Sequence, residues 1–116
     1  MNNLTKIPKG APAQKVGQIH YAAAMKGDRK TWEATLTERN RHTLERRGTP
    51  FYWWDTACQR AEIGVSYKFD REDKVTDTRA KLFFKRFNKD GTQRGKPVPL
   101  TLIKETDEWR IHIASY

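Results

Sequence analysis

The chain has 116 residues, a formal net charge of +9 and a pI near 9.9, a length that suits one domain with its own core, since single domains hold roughly 100 to 200 residues. Hydrophobic residues make up 36%, with four Trp, four Tyr and five Phe, which excludes global disorder, and no apolar run approaches the roughly 20 residues of a membrane-spanning helix. The single cysteine, Cys58, excludes an internal disulfide and a Cys-based metal cluster within one chain.

Met1 to Gln14 carries Pro8, Gly10 and Pro12 among Lys6 and Lys9, which disfavours regular structure and marks residues 1–14 as a flexible basic tail or an arm laid on a domain at 15–116. This segment lacks the apolar stretch of a signal peptide. The chain as it stands therefore reads as cytoplasmic, and as extracytoplasmic if Met1 follows a removed leader or lipid anchor.

Lys15 to Lys26 reads as a first helix, with Val16, Ile19 and Ala23 on one stripe and Gly27 as its stop. Asp28 then caps a second helix whose buried stripe is Trp32, Thr35 and Leu36. Glu38 to Arg47 has Leu44 as its one apolar residue and reads as a solvated basic connection. Thr49 and Pro50 open a third helix, in which Phe51, Trp54, Cys58 and Ala61 recur at helical spacing before Gly64; Cys58 there reads as an inert, buried thiol.

Beyond Gly64 the period becomes two. Val65, Tyr67 and Phe69 mark a first strand, Arg71 to Lys74 a turn, and Thr76 to Phe87 a long second strand with Ala80, Leu82 and Phe84 on one face. Arg79, Lys81, Phe83, Lys85 and Phe87 occupy the other. Asn88 to Gly91 is a turn, Lys96 to Glu105 a third strand with an edge-like start at Pro97 and Pro99, and Thr106 to Glu108 the turn into a last strand carrying Trp109, Ile111 and Ile113. The expected fold class is α+β, three N-terminal helices packed on a curved four-stranded antiparallel sheet.

The Gly27-Asp28 break, the segment Val98-Pro99-Leu100-Thr101-Leu102-Ile103-Lys104-Glu105 and the Glu108-Trp109-Arg110-Ile111 that follows it resemble nuclear transport factor 2-like domains over Lys15 to Tyr116, nearest to small bacterial envelope and lipoprotein members. The resemblance implies a cone whose cavity different members use for substrates, for ligands or for packing. It would place His20, Trp54, Tyr67, Leu82, Phe84 and Trp109 toward that cavity as ligand-binding residues.

Enzymes of this type use a carboxylate or a His–Asp pair as general base. No such pair is assignable here, so no catalytic residue is named. His20, His42 and His112 lack metal-ligand spacing, and no phosphate loop or nucleophile elbow occurs, so neither metal nor cofactor is expected. The leading expectation is a non-catalytic binding or assembly domain of a bacterial protein, acting through the cavity or through Arg79, Lys81, Phe83, Lys85 and Phe87. A second copy or another protein is the preferred partner, ahead of a small apolar ligand and of nucleic acid, which alternating cations and aromatic rings also suit. A small isomerase- or dehydratase-like enzyme is the other alternative.

Overall fold

The computed structural model describes residues 7–44, 46 and 48–116. The protein is an α+β structure of four helices followed by four strands: α1 (Ala13–Lys26), α2 (Arg29–Ala34), α3 (Glu38–Thr43), α4 (Thr49–Glu62), β1 (Ser66–Val75), β2 (Arg79–Phe87), β3 (Val98–Glu105) and β4 (Glu108–Ile113). The strands form one antiparallel meander in the order β1-β2-β3-β4. Among the described residues no helix is long and apolar enough to cross a membrane.

Gly27 ends α1 in the left-handed conformation, at φ 74°, which glycine adopts without strain. The Asp28 N–H bonds back to the Ala23 carbonyl at 2.9 Å, while the Asp28 carboxylate accepts from Thr31 N–H and starts α2. The two helices therefore turn sharply, and Trp32 enters the core fully buried.

Three expectations change. The structure has four helices rather than three, because Glu38–Thr43 is helical. This α3 buries no residue, so no apolar stripe announces it. It is held from its ends: Thr37 Oγ1 accepts from Asn40 N–H at 3.2 Å, the Glu105 carboxylate accepts from Glu38 N–H at 3.1 Å, and Asn40 Nδ2 donates to the Ile111 and His112 carbonyls. Glu45 and Arg47 of the expected connection lie outside the described residues.

The turn expected at Arg71 to Lys74 is part of β1, which passes it with register shifts between Phe69 and Arg71 and between Glu72 and Lys74. Extra residues in one strand of a pair let polar side chains sit in a ladder without a reversal. The reversal comes at Thr76–Thr78, where Thr76 Oγ1 accepts from the Thr78 and Arg79 N–H groups. β3 is an inner strand, but its pairing with β4 begins only at Thr101, so Pro99 lies beyond that ladder.

The first six positions of the expected 1–14 tail lie outside the described residues. From Ile7 the chain rests on the domain: Ile7 packs against the core, Ala11 and Ala13 are buried, and Gly10 N–H donates to the Glu108 carboxylate at 3.0 Å.

The core lies between α1 and the sheet, with Val16 and Tyr21 meeting Ala80, Leu82, Phe84, Leu100, Leu102 and Ile111. Helix α4 packs on α1, with Ala57 fully buried. A Cβ on Gly17 would stand 2.8 Å from Phe84 Cζ and 3.1 Å from Leu100 Cδ2, so α1 reaches the sheet only because residue 17 has no side chain. Gly17→Ala gains about 1 kcal/mol in helix propensity. It loses about 1–3 kcal/mol to overpacking, because Phe84 is itself enclosed. The net expectation is a lower urea midpoint at unchanged slope. A higher midpoint would mean that α1 does not press on β2 and β3 at this position.

Candidate functional site

The residues assigned to a cavity are divided between the core and its margin. His20, Leu82 and Phe84 are fully buried, whereas Trp54, Tyr67 and Trp109 are half-buried and packed against the core. Five of the six share one neighbourhood of the core. Tyr21 joins three of them: its ring lies 5.4 Å from His20, 4.2 Å from Tyr67 in a stacked pair, and 4.8 Å from Phe84. Trp54 joins through Trp32, at 4.9 Å, and Leu82 belongs to the same core. Trp109 packs against the same core and lines a surface recess of about 460 Å³ with Pro12, Gln18, Glu72 and Val75.

The interior is organised by Tyr116, which periodicity did not single out. Trp32 Nε1–H donates to the Tyr116 hydroxyl at 2.9 Å, and that hydroxyl lies 2.6 Å from His20 Nε2. His20 Nδ1 lies 2.7 Å from Thr35 Oγ1, and Thr35 donates its own proton to the Trp32 carbonyl at 2.6 Å. A hydroxyl has one proton to give, so Thr35 must accept from His20 Nδ1–H. Nε2 is then the acceptor, and Tyr116 donates to it. The loop closes from the Trp32 indole to the Trp32 carbonyl with every polar group satisfied.

Burial pushes His20 from 6.5 down to about 3. Among the described residues its ring contacts are Thr35, Tyr116, Tyr21 and Trp32, none of them charged. Burial likewise drives the Tyr116 and Tyr21 phenols upward, and raises Tyr67 to about 12 against the pull of Arg60, Arg86 and Arg94. A neutral, doubly hydrogen-bonded imidazole has no free nitrogen with which to take a substrate proton. Cys58 is half-exposed rather than buried, and its thiol is raised by partial burial and by Asp55 and Glu62, which lowers its thiolate content.

The Tyr116 main-chain oxygen is also bound. Tyr67 Oη donates to it at 3.0 Å, Arg60 Nε at 3.1 Å and Arg86 Nη1 at 3.3 Å. These contacts draw together β1, α4, β2 and the end of the described chain. Sequence reasoning placed Trp32 and Thr35 on a buried stripe without seeing their polar role, and it missed Tyr116, Arg60 and Arg86.

The opposite face of β2 carries the second set. Phe83 lies under two cations, with the Arg71 guanidinium carbon 4.2 Å and Lys81 Nζ 5.5 Å from its ring centre. Lys81 approaches Asp73 at 3.9 Å, and Lys85 approaches Asp70 at 3.8 Å. The Lys81 and Lys85 side chains remain 44% and 42% exposed, and Arg79 is exposed, so this face stays open to solvent. Phe83 and Phe87 are half-buried. Among the described residues no group of His, Cys, Asp and Glu is placed to hold a metal ion. The chain matches no protein-family model and no curated protein.

Proposed function

We propose that this chain is a non-catalytic binding domain of nuclear transport factor 2-like architecture, in a bacterial protein, whose open sheet face docks an acidic partner protein. Three register shifts, two in β1 and one between β3 and β4, support the bent sheet that such a cone requires. In this reading the cone interior serves for packing. Its one buried histidine has both nitrogens engaged, which favours binding over general-base catalysis.

The observation that carries the docking reading is Phe83, an aromatic ring on the face away from the core and flanked by Arg71 and Lys81. A ring ringed by cations combines an apolar anchor with charge selection, the combination found at interface centres. The net charge of +9 works against pairing this face with a second copy at low salt and favours an acidic surface. Arg79, Lys81, Phe83, Lys85 and Phe87 are the contact residues in this reading.

The test compares the chain with its Phe83→Ser, Phe87→Ser double variant, using a poly-glutamate peptide and a single-stranded oligonucleotide as probes. Peptide affinity is expected to fall steeply as salt rises, and to weaken about tenfold in the double variant at an unchanged melting temperature. Unchanged affinity in the variant defeats the reading. Preference for the oligonucleotide, with loss on removing either ring, transfers the face to nucleic acid, where bases stack on aromatic side chains. Cooperative loss of folding in the variant assigns both rings to structural packing.

A further inference from the structure

The two register shifts in β1 leave Asp70 and Asp73 without an opposite residue on β2. With both extra residues accommodated, three outward rows stand side by side: Lys74 opposite Lys81, Arg71 opposite Phe83, and Lys68 opposite Lys85. Residues directly opposite in an antiparallel pair point to the same face, and like charges there repel. The outer face of β1 and β2 therefore carries a lysine pair on either side of one cation–aromatic pair.

The two aspartates ease this repulsion only in part. Asp73 lies 3.9 Å from Lys81 and Asp70 lies 3.8 Å from Lys85, both beyond hydrogen-bonding distance, and Asp70 is already held at 2.7 Å by Arg71. Lys68 and Lys74 are exposed and make no ion pair among the described residues. The five cations of these rows thus share two carboxylates, and each lysine row keeps a surplus of positive charge open to solvent.

Spacing fixes the form of a partner. Lys81, Phe83 and Lys85 are alternate residues of one strand, so the lysine rows lie about 13 Å apart with Phe83 midway. An extended chain repeats at the same interval and presents residues i, i+2 and i+4 to one side. A helix rises about 1.5 Å per residue, so its acidic groups would have to stand about nine residues apart. Resting on the docking reading of this face, we propose that the partner is an extended acidic segment with carboxylates at i and i+4 and an aromatic residue at i+2. One carboxylate bridges Lys74 and Lys81, the other bridges Lys68 and Lys85, and the ring lies against Phe83 and Arg71. A bridging carboxylate removes the repulsion within each lysine pair, and a planar ring suits both the Phe83 ring and the Arg71 guanidinium.

The test uses the whole chain and labelled peptides, followed by fluorescence anisotropy at constant ionic strength. Two threonine-rich peptides share one composition: the first has glutamates four positions apart with phenylalanine midway, the second has its glutamates adjacent. A third, alanine-rich and helical, carries glutamates about nine residues apart. The first peptide is expected to bind about fivefold tighter than the second, since an exposed ion pair is worth a factor of about two to five. Lys68→Gln with Lys74→Gln should remove that preference without lowering the melting temperature, because both side chains are exposed. Equal binding of the first two peptides, with loss in the Phe83→Ser, Phe87→Ser variant, overturns the spacing and leaves the docking reading standing. Binding of no peptide above the level of that variant defeats both. Tighter binding of the helical peptide, or of a single-stranded oligonucleotide, also overturns the proposal.

Discussion

Tyr116→Phe is expected to lower the stability of the folded chain by about 2–6 kcal/mol, because one lost hydroxyl strands two buried groups, each costing about 1–3 kcal/mol. The groups are Trp32 Nε1–H, which loses its acceptor, and His20 Nε2, which loses its donor. Both side chains are fully buried, so water does not replace the lost partner without opening the core. Native domains hold only about 5–15 kcal/mol in total, so this single oxygen carries a large share of the margin. The melting temperature should fall by about 10–20 °C. Tyr67→Phe is the control: the Tyr116 main-chain oxygen keeps Arg60 and Arg86, and the loss should stay near 1 kcal/mol. Urea unfolding of the two variants decides the matter. A loss below about 0.5 kcal/mol in Tyr116→Phe would show that the hydrogen-bonded loop does not exist in solution.

The second large effect is on pH dependence. His20 is held neutral in the fold, at about 3 against 6.5. Between these values the unfolded chain binds a proton that the folded chain excludes, so stability falls as pH falls. The contribution is complete above pH 6.5 and is lost progressively toward pH 3, at about 1.4 kcal/mol per pH unit. Raising the pH from 4.5 to 6.5 should therefore recover about 2–3 kcal/mol. Geometry gives the same sign. A second proton on Nε2 would face the Tyr116 hydroxyl, which already accepts from Trp32 and would have to turn its own proton away from His20. The check is the slope of unfolding free energy from pH 6.5 to 5, above the range where ordinary carboxylates titrate. His20→Gln lowers the overall level but should flatten that slope. An equally steep slope in the variant would place the acid sensitivity elsewhere.

Much of the interior was legible because the signals are local. Ala80, Leu82 and Phe84 alternate along one strand and are buried together, and Gly27 with Asp28 stops one helix and caps the next. Helix α3 was illegible for the complementary reason. It buries nothing, and its supports are Glu105, Ile111 and His112, all on strands formed later in the chain. The Arg71 to Lys74 turn failed because charged residues in a bulged strand look like a reversal when the partner strand is out of view. Trp109 shares an inward-facing stripe with Ile111, and the tertiary arrangement leaves it half-buried against the core at the wall of a recess beside Pro12 and Val75.

The sequence by itself determined that helices precede strands, where the period changes at Gly64, which β2 face is apolar and that the chain is strongly basic, since propensity, periodicity and charge are properties of short windows. Only the tertiary structure decided what Gly17 is for and what Tyr116 does. Gly17 matters because Phe84 and Leu100 arrive against it from two strands. Tyr116 meets His20 and Trp32 across separations of 96 and 84 residues, and its main-chain oxygen meets Arg60 and Arg86 at 56 and 30. No window of a few residues contains such a pair. A buried hydroxyl must find partners wherever the fold brings them, so satisfying it is decided by the whole packing arrangement and not by its neighbours in the chain.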